Sequence, residues 1–154
     1  SISFIDDLSG LYNRKYMNHY LNKLQNNKAK HVYGFLMDIN DFKTINDIYG
    51  HLKGDQAIIQ FGKILQHSID KDSVAIRMGG DEFVIFAILK SNEEALALKK
   101  RIEQNVRQFN IHSKEPFHLS FSIGIAKYNG NIDTFLSAMD DSMYEAKNMH
   151  RLMQ

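Results

Sequence analysis

The chain has 154 residues, a net charge of +1, and 44% hydrophobic and 24% charged residues. This length is typical of one domain with a single core. A charge so close to zero gives no general attraction to nucleic acid or to membranes. The chain has no cysteine, which excludes disulfides and thiolate metal sites and fits a reducing cytoplasm. No apolar run approaches the length of a membrane span, so we expect no membrane contact from these residues.

The spacing of apolar side chains predicts helices and strands that alternate along the chain. A helix starts at about Asn13 and ends at Asn26-Asn27-Lys28. The apolar run from His31 to Met37 predicts a strand that is covered on both faces. A short helix over residues 42–49 and a loop over residues 50–54 follow.

The middle of the chain carries a glycine-rich turn between two apolar runs. The runs are Val74 to Ile76 and Phe83 to Leu89, and they follow a helix that begins at Asp55, a residue type common at helix N-termini. Glycine reaches the positive φ angles that a tight turn needs, so Gly79 and Gly80 predict a β-hairpin. The adjacent carboxylates Asp81-Glu82 repel each other unless a cation joins them, and the turn is either a metal site or a solvated acidic turn.

Three further elements complete the pattern. Asn92 caps a helix whose buried face extends to Phe109, residues 117–126 form a strand after Pro116, and a last helix covers residues 132–149. The alternation of strands with helices packed on one face predicts an α+β sandwich of βαβ-β-αβ type.

A second acidic cluster, Asp38-Ile39-Asn40-Asp41, stands at the end of the first strand. If this strand neighbours the hairpin, Asp38 and Asp81 can share one cation. Carboxylates without His or Cys favour a hard ion such as Mg²⁺, which completes its coordination with water and substrate phosphates. The seven histidines show no spacing typical of a zinc site.

Phosphate groups would need a binding site other than a Walker-type loop, which this sequence lacks. The backbone N–H groups of Asn40 to Lys43 lead into a short helix and could hold a phosphate. Lys147 and Arg151 lie four residues apart on one face of the last helix. They either reach a polyphosphate or only complement the negative C-terminus of that helix.

The ordered motifs of the chain resemble those of the GGDEF domain family, the bacterial diguanylate cyclases. The resemblance covers essentially the whole chain, so we interpret residues 1–154 as a single GGDEF domain and expect it to be cut from a longer sensor protein. The motifs are Asp7-x-x-x-x-x-Asn13-Arg14, Asp38-Ile39-Asn40-Asp41-Phe42-Lys43-Thr44-Ile45-Asn46-Asp47, Gly50-His51-x-x-Gly54-Asp55, Gly79-Gly80-Asp81-Glu82-Phe83, Ser122-Ile123-Gly124-Ile125-Ala126 and Tyr144-x-Ala146-Lys147-x-x-x-Arg151.

The resemblance implies a palm-like, ferredoxin-like α+β fold with a central, mostly antiparallel sheet and helices packed around it, as in class III nucleotide cyclases. It also implies that two GTP molecules are condensed into cyclic di-GMP and two pyrophosphates across a transient homodimer, with Mg²⁺ or, as a substitute, Mn²⁺. Asp38, Asp81 and the Ile39 carbonyl resemble the metal ligands. Lys43 resembles a transition-state-stabilising lysine, and either Asp81 or Glu82 resembles the base.

The same resemblance assigns the substrate-binding residues. Asn46 and Asp55 resemble the guanine readers with His51 beside them, although Asp55 is equally interpreted as a helix cap. A carboxylate can accept hydrogen bonds from N1–H and N2–H₂ of guanine together, a donor pair that adenine lacks. The remaining substrate-binding residues are Phe42, Lys147 and Arg151.

The sequence departs from the family pattern at two positions near these groups. Asn40 replaces an aspartate, which would weaken a second metal, and His150 replaces the glycine before Arg151. Two other functions stay open. One is a non-catalytic GTP-binding domain that regulates an upstream sensory domain. The other is an RNA-binding module, which the neutral charge and the lack of an aromatic RNA-binding strand disfavour, so we expect no nucleic acid partner.

Overall fold

A computed structural model describes residues 3–27 and 31–154, so Lys28 of the predicted helix end lies outside the described residues. None of the helices in these ranges is long and apolar enough to cross a bilayer. The elements, in chain order, are α1 (Arg14–Asn26), β1 (Val32–Ile39), α2 (Phe42–Tyr49), α3 (His51–Ser68), β2 (Val74–Gly79), β3 (Glu82–Ile88), α4 (Asn92–His112), β4 (Phe121–Lys127) and α5 (Ile132–Leu152).

The four strands form one sheet in the order β2-β3-β1-β4, in which every neighbouring pair is antiparallel. β1 lies inside the sheet between β3 and β4, and all eight of its residues are buried. An antiparallel sheet with helices packed around it is an α+β fold, and this confirms the predicted fold class.

Helices cover both faces of the sheet, so the prediction that they pack on one face is wrong. On one face, Phe35 and Met37 of β1 join a core with residues of α3 and α4. On the other face, Val32 and Leu36 join a core with residues of α1 and α5. The reason is the continuous apolar run of β1, because a strand whose successive side chains point to opposite faces needs a covering layer on each.

The segment around Gly50 is helical where a loop was predicted. Gly50 has a φ of +91° and ends α2, and its carbonyl accepts from the N–H of Gly54 in the first turn of α3. α3 therefore begins at His51, and Asp55 lies inside the helix rather than at its N-terminus. The interpretation of Asp55 as a helix cap is wrong for this reason.

Three other predicted boundaries differ from the structure. Ser91, not Asn92, caps α4, because the Ser91 side chain accepts from the N–H of Glu94. β4 begins at Phe121 rather than at residue 117, because both backbone groups of Leu119 bond to the Asn110 side chain at 2.8 Å instead of to a strand. α5 extends to Leu152, beyond the predicted end at residue 149.

Two glycines let α5 lie directly on the sheet. A Cβ atom at Gly34 of β1 would lie 2.3 Å from Sδ of Met139, and one at Gly124 of β4 would lie 2.3 Å from the backbone nitrogen of Met143. The Met139 side chain could rotate away, but the helix backbone at Met143 could only shift as a whole. The position of α5 over β1 and β4 therefore depends on the missing side chain at Gly124.

We predict that Gly124→Ala destabilises the fold by about 1–3 kcal/mol, because the added methyl group overpacks the contact between β4 and α5. Gly62→Ala in α3 is the matched control, because its Cβ would meet the nearest heavy atom, Cβ of Ser9, at 3.3 Å, a tight contact that a displacement of a few tenths of an ångström relieves. Thermal and urea denaturation followed by circular dichroism measure both variants. Equal stabilities of the two variants would show that α5 tolerates displacement.

Candidate active site

The pairing of β1 with β3 brings the two acidic clusters together. Asp38 lies opposite Glu82 in the antiparallel register, and the Ile39 N–H donates to the Asp81 carbonyl at 3.3 Å. β1 and β3 are thus neighbouring strands, which is the condition for Asp38 and Asp81 to share one cation. Asp38 and Asp81 stand at the same edge of the sheet.

Two arginine side chains donate hydrogen bonds to backbone carbonyls of the glycine turn before β3. Gly79 and Gly80 have φ angles of +139° and +52°, which a residue with a side chain rarely adopts. Arg77 Nε donates to the Gly80 carbonyl at 2.9 Å, and Arg14 Nε donates to the Met78 carbonyl at 3.3 Å. These bonds fix the backbone that presents Asp81.

Asp38 is a buried carboxylate with one oxygen left without a partner. The residue is 6% exposed, its Oδ2 forms an ion pair with Nζ of Lys147, and its Oδ1 has no hydrogen-bond partner among the described residues. Burying such an oxygen without a partner is costly. A cation at this point would satisfy it.

Asp81 has a pKa raised above its ordinary value, first because burial desolvates its carboxylate and then because the Asp38 charge is close. Lys147 opposes this shift only in part. No group of three or more histidine, aspartate or glutamate side chains forms a metal cluster within residues 3–27 and 31–154. A cation here would therefore rest on two carboxylates, backbone oxygen and ligands from outside the chain, a donor set typical of Mg²⁺.

Seven of the predicted site residues line one open cleft of about 390 Å³. They come from the end of β1, the loop into α2, the glycine turn and the last turns of α5. They are Asp38, Ile39, Phe42, Lys43, Asp81, Lys147 and Arg151. The cleft thus has acidic groups at its base and basic groups along its walls, as a metal-bound polyphosphate would require.

The structure places Glu82 outside this cleft. Glu82 is exposed and lines a smaller neighbouring hollow of about 210 Å³ that shares Asp38 and Lys147 with the main cleft. Lys43 lies at the cleft wall with its side chain 89% exposed, and its Nζ contacts Asp47 at 2.9 Å. The hydrogen bond that Lys43 donates to the Asp47 carboxylate raises the pKa of Lys43, which keeps this lysine charged.

The predicted guanine readers lie at the corner between α2 and α3, and they do not line the cleft. Asn46 is half-buried, whereas His51 and Asp55 are exposed. Gly54 leaves the room that the Asn46 side chain occupies, since a Cβ atom there would lie 1.8 Å from Asn46 Oδ1. The missing side chain at Gly54 therefore positions the Asn46 amide beside the first turns of α3.

Sequence reasoning missed three residues of the cleft wall, Asp41, His150 and Gln154. His150 follows Lys147 by three residues, and this helical spacing was the signal that could have placed it on the same face. Asn40 also lines the cleft, but its amide bonds to Ser120 Oγ at 2.9 Å and to Ser122 Oγ at 2.7 Å. These bonds hold the Asn40 side chain to β4 and to the residue just before it.

The family model described as "Diguanylate cyclase, GGDEF domain" matches residues 3–152. The chain belongs to the GGDEF family. Among its relatives, diguanylate cyclase DgcM of Escherichia coli (strain K12) is 34% identical over 148 residues, covering 93% of this chain and 36% of that protein. Cyclic di-GMP phosphodiesterase PdeR of the same organism is 35% identical over 150 residues, covering 92% of this chain and 22% of that protein. The GGDEF chain thus spans about a third or less of these relatives' length.

A solved GGDEF domain agrees with this membership. The domain of PA1120 (TpbB or YfiN) from Pseudomonas aeruginosa has a TM-score of 0.84 at 26% identity. The match covers 94% of this GGDEF chain and 89% of that one. The helices and strands described above therefore have the arrangement of a GGDEF domain.

We predict that Lys147→Met lowers the stability of the metal-free protein by about 1–3 kcal/mol, because it leaves the buried Asp38 carboxylate without its cation. Added Mg²⁺ should raise the melting temperature of this variant more than that of the wild type, since Lys147 no longer competes for Asp38. Lys100→Met, at an exposed position of α4, is the control. Differential scanning calorimetry with EDTA or with Mg²⁺ measures both effects, and equal Mg²⁺ responses in variant and wild type would contradict the competition.

Proposed function

We propose that this domain is a diguanylate cyclase that condenses two GTP molecules into cyclic di-GMP and two pyrophosphates. The observation that carries the proposal is the buried Asp38, whose Oδ1 lacks a partner in the part of the chain that the structure describes, beside Asp81 at the base of a cleft with basic walls. Membership of the GGDEF family, with a relative named as a diguanylate cyclase, supports the same activity.

The donor set at the base of the cleft fits a divalent cation. Asp38, Asp81 and the Ile39 carbonyl would hold Mg²⁺, or Mn²⁺ as a substitute, and the ion would neutralise triphosphate charge and polarise the α-phosphate. The unpartnered Asp38 oxygen and the raised pKa of Asp81 are what such an ion relieves. Asn40 points its amide at Ser120 and Ser122, which supports one metal rather than two.

The chain's own residues orient and activate the nucleotides. The 3′-oxygen of one GTP attacks the α-phosphorus of the other, and the bond from that phosphorus to the pyrophosphate oxygen breaks. Asp81 is suited to accept the 3′-hydroxyl proton, because its carboxylate lies at the base of the cleft. Glu82 remains the alternative base, although it lies exposed outside the cleft. Lys147, Arg151 and Lys43 would stabilise the charge that develops on the phosphates.

Guanine recognition would take place at the α2–α3 corner. Asp55 would accept from N1–H and N2–H₂ of guanine, and the Asn46 amide and His51 would lie beside it. Phe42 would pack near the nucleotide from the cleft side. Adenine lacks this donor pair and would leave the Asp55 carboxylate desolvated without a partner, which gives selectivity for GTP over ATP.

Each domain has one such cleft, so both bonds of the product form only when two domains meet face to face. The homodimer would be transient, and an upstream sensory domain would control its formation. The GGDEF domain would lie in the cytoplasm. The second candidate function is a GTP-binding regulatory domain without turnover. PdeR supports this second function, since this relative carries a matching region but is named for a phosphodiesterase activity.

We predict that Asp81→Asn lowers product formation by at least about a hundredfold, because it removes a metal ligand and the proposed base together. The wild-type rate should rise more steeply than linearly with protein concentration. Chromatography of the nucleotides after incubation with GTP and Mg²⁺ measures both, with Asp72→Asn at an exposed turn as the control. Binding of GTP by the wild type without any cyclic dinucleotide, even at high protein concentration, would select the regulatory function.

We predict that Asp55→Asn weakens GTP binding by about ten- to a hundredfold and leaves the weaker ATP binding unchanged, because only guanine offers the donor pair to this carboxylate. Calorimetric titration with each nucleotide and Mg²⁺ measures the two affinities. ATP serves as the internal control for folding of the variant. A parallel loss for both nucleotides would place Asp55 outside guanine recognition.

A further inference from the structure

We propose that His150 is a further phosphate-binding residue of the cleft, and that its protonation strengthens the binding of a nucleoside triphosphate. This inference rests on the proposed function, because it concerns how the same cleft holds the triphosphate of GTP. It adds a residue that departs from the family pattern, since glycine is usual at this position.

His150 lies in the last turns of α5 between the two basic residues assigned to phosphate. It lines the cleft together with Lys147, one helical turn before it, and Arg151, the next residue. Its side chain is 29% exposed, so the imidazole is accessible from the cleft but is held by its surroundings. A ligand that reaches Lys147 from the cleft also reaches the His150 ring.

Asp41 anchors the end of α5 to the loop that leads into α2. Its carboxylate Oδ2 lies 3.5 Å from His150 Nε2 and accepts from Gln154 Nε2 at 3.0 Å. Asp41 has a φ of +56°, an uncommon conformation for a residue other than glycine. The contact joins two parts of the proposed phosphate site, the loop N–H groups and the helix α5, across 109 residues of sequence.

The Gln154 amide lies between the Asp41 carboxylate and the His150 ring. Gln154 Nε2 lies 3.0 Å from Asp41 Oδ2 and 3.1 Å from His150 Nε2. An ionised carboxylate only accepts, so the amide nitrogen rather than the amide oxygen faces it, and its two hydrogens go one to each partner. A neutral ring with its proton on Nδ1 accepts at Nε2 from Gln154. A protonated ring would turn this nitrogen into a donor and release Gln154.

An arriving triphosphate would favour that protonated ring. The charged groups around the cleft are Asp38, Asp41 and Asp81, which favour a cationic imidazole, and Lys43, Lys147 and Arg151, which oppose it. The phosphates neutralise the opposing lysines and arginine and offer acceptors to His150 Nε2. Histidine side chains ordinarily titrate at about pH 6.5. Nucleotide binding then takes up a proton, and by linkage it becomes tighter as the pH falls.

The test uses 3′-deoxy-GTP with Mg²⁺, which lacks the attacking hydroxyl and gives no turnover. Isothermal titration calorimetry at about pH 6 and about pH 7.5, in buffers of different ionisation enthalpy, gives the affinity and the protons taken up. We expect the wild type to bind about fivefold tighter at the lower pH than His150→Gln does, and to take up a proton fraction that this variant does not. His150→Lys should bind tightly at both pH values. His112→Gln, on the exposed end of α4, should behave as the wild type.

Each outcome bears on a different part of the argument. If the wild type and His150→Gln have the same pH dependence and proton uptake, His150 is not a phosphate-binding residue, while the proposed function stands. If the wild type binds no 3′-deoxy-GTP at either pH, the proposed function fails and this inference fails with it.

Discussion

The repulsion between Asp38 and Asp81 is the constraint on which the rest of this structure depends. Backbone pairing of β1 with β3 forces the two carboxylates to one edge of the sheet, and burial of Asp38 prevents water from screening them. Within residues 3–27 and 31–154, the structure compensates with one ammonium group, that of Lys147, and leaves one Asp38 oxygen without a partner. An arrangement that is under-compensated in this way binds cations, because a cation lowers its free energy more than it would at a solvated acidic turn.

The helix α5 links this electrostatic problem to the packing of the core. Gly34 and Gly124 allow its middle to lie against the sheet, and its last turns carry Lys147, His150 and Arg151 over the strand ends. A shift of α5 away from β4 would move all three basic side chains from the cleft at once. The close packing at two glycines and the charge balance at Asp38 are therefore two consequences of one helix position.

The sequence predicts those parts of the site that depend on local patterns. Strand ends and a glycine turn were enough to bring Asp38 and Asp81 to one edge, and helical spacing was enough to pair Lys147 with Arg151. Local patterns failed where a long-range contact or an unusual φ angle decides the structure. Gly50 at a positive φ starts α3 four residues before Asp55, and the Asn110 side chain keeps Leu119 out of β4. The contact between Asp41 and His150 joins distant segments, so no local periodicity could reveal it.

The cleft combines a rigid base with adjustable walls. The turn that presents Asp81 is fixed by Arg77 and Arg14, and Arg77 is itself paired with Asp6 at 3.1 Å, so the turn backbone has its partners before any ligand arrives. Lys43 and Arg151, by contrast, are exposed and bond only to neighbours on their own helices, Asp47 and Asn148. Such surface pairs contribute little to stability and are readily exchanged for a phosphate. The groups that would fix the metal are thus preorganised by the fold, while the groups that would follow the moving phosphates keep their freedom until the nucleotide is bound.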